Sequence, residues 1–381
     1  MRFLNDWNMK YILCIGSNTD SELNMALAIR ELTHYFPDIH FSSEQTSEPM
    51  GTLRPDWFLN RAACFDSDMP YDDVRAITKK IEQMAGRTPN EKYQEIIRLD
   101  IDILQAGMQR FKEYDWQKPY VQRLLRQLKM KFVGIIPARY ASTRFPAKPL
   151  AILGGKPVIQ RVYEQVVGVL DDAYVATDDE RIEQVVKNFG GKVVMTSTHH
   201  KSGTDRCWEA FQKIGGGFDV VVNIQGDEPF IQPSQLEVVK ACFLDEQTQI
   251  ATLVKPFTID SNYQALENVN GVKVVVNKNM NALYFSRSII PFQRNVEKSE
   301  WLSHHIYYKH VGLYAYCSEV LHQITSLKQS SLELAESLEQ LRWLENGYSI
   351  KVGLTNVETI GIDTPADLER AEVFLQQQHK V

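Results

Sequence analysis

Residues 132–150, FVGIIPARYASTRFPAKPL, decide how the chain is read. The run Phe132-Val133-Gly134-Ile135-Ile136 is apolar without alternation, as a strand buried on both faces must be. It opens directly into a loop where Arg139, Arg144 and Lys148 stand among small residues and prolines. Fixed cations and free backbone N–H groups at the carboxyl end of a strand make a phosphate-binding arrangement, in the place where open α/β sheets bind their ligands.

Downstream, strands alternate with helices. Residues 157–170, PVIQRVYEQVVGVL, place a proline at a helix start and apolar residues at helical spacing. The pattern continues through the strand 172–177, the helix RIEQVVKNFG, the strand KVVMTS, a helix after SGTDR, and the apolar run Val220–Ile224. Such alternation predicts a doubly wound, mainly parallel sheet. The run 220–224 ends in Gln225-Gly226-Asp227-Glu228-Pro229, a carboxylate beside a glycine just beyond a central strand. Far away, Gly361-Ile362-Asp363-Thr364-Pro365 precedes the helix ADLERAEVFL. If Asp227 and Asp363 converge they can hold a hard cation between them. Taken singly, Asp227 reads as a turn former and Asp363 as the N-cap of the last helix.

Upstream, KYILCIG at 10–16 reads as a strand, followed by a turn and a helix carrying Leu23, Leu27 and Ile29 to Leu32. Residues 58–65 suit a second strand, and 71–85 a helix closed by Gly86. In Arg98-Leu99-Asp100-Ile101-Asp102-Ile103-Leu104, alternation at period two puts Asp100 and Asp102 on one strand face. Paired carboxylates there suit a magnesium ion carried by a nucleotide, or equally the solvated face of an edge strand.

A length of 381 residues exceeds one ordinary core. The charged stretch FKEYDWQKPYVQRLLRQLKMK, with its short amphipathic helix, reads as a connector. We therefore expect a domain over 1–112, a linker over 113–130 whose apolar side docks on one domain, and a second domain over 131–381. A formal net charge of −6 argues against a general nucleic-acid partner, so phosphate must be met by local cations. Five scattered cysteines without a CxxC pair suit reduced thiols in a cytoplasmic protein. No apolar run approaches the roughly 20 residues of a membrane span, and the N-terminus carries no cleavage signal, so neither membrane insertion nor export is expected.

The ordered blocks PARYASTRFPAKPL, ATD at 176–178, SGTDR at 202–206, NIQGDEP, VKVV with ALYFSR, HVGLYAY, LEQLRWLENG and GIDTPADLER resemble the cytidylyltransferases that activate 3-deoxy-D-manno-octulosonate (Kdo), the CMP-Kdo synthetases. The resemblance covers about residues 131–375 and implies a nucleotidyltransferase sheet. The expected reaction joins CTP and Kdo into CMP-Kdo with release of pyrophosphate, for lipopolysaccharide biosynthesis, with Mg2+ as cofactor and a homodimer built by the C-terminal domain. On this resemblance Arg139, Arg144 and Lys148 meet the phosphates, Gln225 shapes the pocket, and Asp227 and Asp363 carry magnesium. Arg139, Lys148, Asp227 and Asp363 are then the catalytic set, and Arg287, His310, Tyr314, Glu339 and Gln340 receive the sugar. One departure is Ala147 in PAKPL, where many relatives have glycine. A glycosyltransferase using a nucleotide sugar is the competing reading, but it favours Asp-x-Asp where this chain has QGDEP.

Residues 10–105, through IGSN, PDWFLNRAA, IEQMAGR and RLDIDIL, resemble 6-hydroxymethyl-7,8-dihydropterin pyrophosphokinase. That implies an α+β ferredoxin-like domain in which Asp100 and Asp102 hold the magnesium of ATP. Asn60 and Phe58 would meet the pterin, and Glu82 and Arg87 would line the site. Where that family shows Gly-Pro-Arg before the aspartates, this chain has Glu95-Ile96-Ile97-Arg98, and the family's long C-terminal portion is replaced by the connector. The domain is expected to be either a pterin pyrophosphokinase or a degenerate module.

Overall fold

The computed structural model describes residues 9–49, 55–86, 94–141, 145–258, 261, 263–357 and 361–378. Arg87 and Arg144 lie outside them. The chain forms two units that divide between Lys129 and Met130.

In the first unit the strand Met9–Ser17 is central. It pairs antiparallel with Phe58–Ser67 on one side and Asp100–Ala106 on the other. The short strands His40–Phe41 and Gln45–Ser47 both pair with Phe58–Ser67, and Gln109–Arg110 extends Asp100–Ala106. Helix Ser21–Tyr35 buries Met25, Ala28 and Leu32, at the i, i+3, i+7 spacing of one face. Helix Tyr71–Met84 buries Val74, Thr78, Ile81 and Glu82, and it ends at Gly86, whose φ of 80° a side chain would disfavour. Together they close over Tyr11, Leu13, Ile15, Phe65, Ile101 and Ile103, the α+β core that the sequence implied.

Residues of the expected connector belong to this unit. They form the helices Glu113–Trp116 and Pro119–Gln127, and the second buries Val121, Leu124 and Leu125. Gln127, itself buried, accepts the Ser43 amide and donates to Ser43 Oγ at 3.1 Å, so its end is latched to the 42–44 segment.

The second unit is built on a sheet ordered Val193–Met195, Asp172–Thr177, Phe132–Ala138, Val220–Asn223, Tyr308–Cys317, Ile250–Pro256 and Ile350–Leu354. Pairing is parallel from 193–195 through 220–223 and between 250–256 and 350–354. Strand 308–317 runs antiparallel to both its neighbours, so the sheet is mixed and mostly parallel. Strands Lys273–Val276 and Ala282–Ser286 form an antiparallel flank on 308–317. Helix Val158–Val167 buries Ile159, Val162 and Val166 against one face, each contributing up to roughly 2 kcal/mol. Apolar clusters cover both faces of the sheet, which explains why Phe132–Ala138 shows no alternation.

This topology places the site. From 132–138 the chain steps outward to 172–177 and 193–195, then returns through helix Gly203–Ile214 to lay 220–223 on the other side of 132–138. The order reverses between these two strands, and the crevice at their carboxyl ends is the switch point where ligands bind in such sheets.

Candidate active site

Two loops leave the sheet at that point. One follows Ala138 and turns back by a hydrogen bond from Ala147 N to Tyr140 O at 2.9 Å, bringing Lys148 over the strand ends. Ala147, at the expected glycine position, has φ 59° and ψ 17°. The other loop follows Asn223 and holds Gln225 half-buried, with the amide of Glu228 donating to its carbonyl at 3.2 Å. Gly226 sits so close to the first strand that a Cβ would fall 2.7 Å from the Pro137 carbonyl oxygen, a main-chain atom that cannot yield. Only glycine permits that approach, and Asp227 is presented by it.

The third contribution arrives from the C-terminal segment. Ile362, fully buried, donates its amide to the Asp227 carbonyl at 2.9 Å. Helix Pro365–Gln378 is capped by Thr364, whose Oγ1 accepts the Asp367 amide at 3.3 Å while the Asp367 carboxylate accepts the Thr364 amide at 2.8 Å. Because Thr364 supplies the cap, the Asp363 side chain is released from that task. Both carboxylates reach the Lys148 ammonium: Asp227 Oδ2 contacts it and Asp363 Oδ1 lies 3.2 Å away. The lysine side chain is 13% exposed, so this is a partly desolvated cluster in which Coulomb attraction exceeds its surface value.

Arg139, at the head of the first loop, donates through Nη2 to the carbonyl of His200. The residues expected for a sugar gather on strand 308–317 and beside it. Against Ile250–Pro256 the register shifts between Thr252 and Leu253, a local bulge in the pairing. Thr252 Oγ1 meets His310 Nε2 at 2.9 Å and donates to Leu313 O at 2.9 Å, and the His310 and Tyr314 rings lie 5.3 Å apart. Burial pushes His310 down to about 4, so the imidazole is neutral near pH 7. Burial likewise raises the Tyr314 hydroxyl well above its ordinary value.

Glu339 accepts from Thr204 Oγ1 at 2.8 Å, which ties its segment to the start of helix 203–214. Burial raises its carboxyl, opposed by Thr204 and by Arg342. Gln340 is buried next to it. The Arg287 guanidinium donates to the carbonyls of Glu336 at 2.7 Å, Val269 at 3.1 Å and Ser337 at 3.4 Å, bracing the segment from which Glu339 projects. Thr204, Thr252 and the Ile362 amide, which hold Glu339, His310 and Asp227, were not among the site residues expected from the sequence. Thr204 lay within the quoted SGTDR block and Ile362 within GIDTPADLER; Thr252 carries no local pattern.

In the first unit, Phe58, Asn60, Asp100 and Asp102 line one cavity of about 190 Å3 together with Cys14, Lys118 and Tyr120. The strand alternates as expected, Ile101 and Ile103 being buried while Asp100 and Asp102 face out of the core. Lys112 contacts Asp102, and Lys79 stands 4.0 Å from Asp100. Burial and the neighbouring Asp100 charge raise the Asp102 carboxyl, against the pull of Lys112. Glu82 is buried, accepts the Ile101 amide at 2.8 Å and the Lys79 ammonium at 2.6 Å, and so holds the helix to the strand beside Asp100.

No described helix is long and apolar enough to cross a membrane. Residues 133–352 match the cytidylyltransferase family. Residues 12–153 match the 7,8-dihydro-6-hydroxymethylpterin-pyrophosphokinase family, a span that runs past Lys129. The chain is 80% identical over 249 residues to the 3-deoxy-manno-octulosonate cytidylyltransferase of Phocaeicola vulgatus, covering 65% of this chain and 99% of that protein. It is 78% identical over 249 residues to the same-named protein of Bacteroides thetaiotaomicron, covering 65% of this chain and 100% of the relative. A solved structure of CMP:2-keto-3-deoxy-manno-octonic acid synthetase complexed with CTP superposes with a TM-score of 0.60 at 43% identity, over 65% of this chain and 99% of that one. Through its second unit, then, the chain belongs to the cytidylyltransferase family, among the 3-deoxy-manno-octulosonate cytidylyltransferases.

Proposed function

We propose that residues 130–381 transfer the CMP group of CTP to the anomeric hydroxyl of Kdo, giving CMP-Kdo and pyrophosphate. The observation that carries this reading is the meeting of Asp227 and Asp363 on the Lys148 ammonium at the switch point of the sheet. In the reaction the sugar oxygen bonds to the α-phosphorus, the bond to the bridging oxygen breaks, and the hydroxyl proton leaves to solvent. An anionic sugar must approach an anionic triphosphate, so cations supply most of the rate enhancement. Lys148 and Arg139 neutralise the phosphates, Arg144 is assigned the same task by resemblance, and Gln225 borders the base or sugar. His310, Tyr314, Glu339, Gln340 and Arg287 form the sugar side. The neutral His310 ring suits directional hydrogen bonding to sugar hydroxyls better than ion pairing.

The donor set fits Mg2+. Two aspartate carboxylates already converge on one positive centre, and they are the hard oxygen ligands this ion prefers. Asp227 and Asp363 would hold it; when bound, it supplies charge stabilisation at the α-phosphate. We further propose a homodimer formed by this unit, a cytoplasmic location in keeping with five free thiols, and use of the product in lipopolysaccharide assembly.

For the first unit, the cavity with Asn60, Asp100 and Asp102 on its wall supports a pterin site. The contact of Lys112 with Asp102 favours the second reading, a module without kinase activity. Formation of AMP from ATP and 6-hydroxymethyl-7,8-dihydropterin by the whole chain, lost in Asp100→Asn, would establish the kinase; no AMP above background would leave the module. For the second unit, pyrophosphate release from CTP and Kdo with Mg2+ is the test, and its absence would overturn the assignment.

A further inference from the structure

Arg139, proposed to meet a phosphate, needs a fixed partner to aim it. A guanidinium on an exposed side chain carries about 2 kcal/mol of rotamer entropy, so a fixed acceptor decides where its remaining N–H donors point. That acceptor is the His200 carbonyl, and the segment bearing it is anchored from helix Gly203–Ile214. Glu209 Oε2 accepts the Ser197 amide at 3.0 Å and also contacts His200 Nε2. Its Oε1 pairs with Lys213 at 2.7 Å, and Lys213 donates in turn to Met195 O at 2.8 Å, at the end of strand 193–195. Thr196 is fixed independently. It bonds Thr177 O through its amide at 2.7 Å, and its Oγ1 accepts from Arg206 Nη1 at 2.6 Å. Arg206 is fully buried and holds Asp178 with its other terminal nitrogen at 2.8 Å. Burial would raise the Glu209 carboxyl, but Lys213, the Ser197 amide and His200 outweigh it and hold it at about 2. The carboxylate is therefore ionised throughout the neutral range.

We propose that Glu209 is a positioning residue for Arg139: through His200 and the 197–200 backbone it fixes the carbonyl that orients the Arg139 guanidinium toward the triphosphate. The inference rests on Arg139 meeting CTP, as proposed above. Glu209 does not touch substrate in this scheme; its effect passes through Arg139 alone.

The experiment is a double-mutant cycle on the full chain, with kcat and KM for CTP and for Kdo read from pyrophosphate release. Glu209→Ala is expected to lower kcat/KM for CTP roughly tenfold, the scale of a modest misplacement of one group, while KM for Kdo stays unchanged. Glu209→Gln, which keeps an acceptor for the Ser197 amide, should recover part of that loss. On the Arg139→Ala background, Glu209→Ala should produce no further loss. An equal loss on both backgrounds, with Arg139→Ala itself impaired, overturns the role of Glu209 and leaves the site intact. Full CTP turnover in Arg139→Ala removes the assignment of Arg139 and this inference with it. Should Glu209→Ala fail to fold, His200→Ala, which keeps the carbonyl but frees the ring contact, completes the same cycle.

Discussion

The Ile362 amide donates to the Asp227 carbonyl at 2.9 Å, and this main-chain bond sets Asp363 beside Asp227. The two aspartates come from a central strand's loop and from the segment before the last helix. Lys148 lies 79 residues from one and 215 from the other in sequence, and it joins both. Like charges held this close need a cation, and the Lys148 ammonium supplies one.

Lys148→Met should therefore act twice. Without ligand, the carboxylate pair loses its shared partner and the second unit loses about 1 kcal/mol or less, since Asp363 is half exposed. With substrates, turnover should fall by about 100-fold as one phosphate-facing charge disappears. Denaturant midpoints and pyrophosphate release read the two effects separately. A variant with wild-type turnover would show that Lys148 serves only the fold.

Gly226→Ala forces a Cβ to within 2.7 Å of the Pro137 carbonyl oxygen. The loop must move away from the strand, costing about 1–3 kcal/mol and displacing Asp227. We expect turnover to fall by at least about tenfold in protein that still folds, as judged by circular dichroism. Unchanged kinetics would mean that the close approach is not what presents the aspartate.

Ala147→Gly tests strain in the cation loop. A non-glycine residue at φ 59° carries about 1–2 kcal/mol of steric strain, whereas glycine adds about 0.4–1 kcal/mol of unfolded-state entropy. The net expectation is a gain of about 0.5–1 kcal/mol in a denaturant titration. A destabilised variant would show that the loop's own contacts already offset the strain.

His310 makes stability depend on pH. Its folded pKa, about 4, lies below the ordinary value of 6.5, so between these limits the unfolded chain binds a proton that the folded one refuses. The contribution is fully present above about pH 6.5 and is lost as pH falls towards 4, amounting to at most about 3 kcal/mol. His310→Gln should flatten the decline between pH 6.5 and 4.5 in thermal melts of the second unit. An unchanged slope would place the acid sensitivity elsewhere.

Much of this was legible in the residues themselves. Phe132–Ala138 announced a doubly covered strand because nothing polar interrupts it, and QGDEP announced its neighbour's end. The capping role first open to Asp363 went to Thr364, and that choice depends on where the helix begins, which is the least determined feature of a sequence pattern. The antiparallel direction of 308–317 was not legible, since strand direction is set by how the chain returns to the sheet and not by a local residue pattern. Nor was the bulge opposite Thr252, which follows from sheet register, nor the Glu209 to His200 contact, which exists only once a loop has closed on its helix. The helix 119–127 could be read as amphipathic, but the surface receiving it could not, because its partner at Ser43 lies in an irregular segment.

The central claim is that Asp227 and Asp363 serve one reaction centre for CMP transfer. Its most direct test is pyrophosphate release from CTP and Kdo with Mg2+, comparing the wild-type chain with Asp227→Asn, Asp363→Asn and the double variant. The account predicts release by the wild type, a loss of at least about 100-fold in each single variant, and little further loss in the double, as for two ligands of one ion. Full activity in Asp227→Asn, or losses that multiply in the double variant, would contradict it.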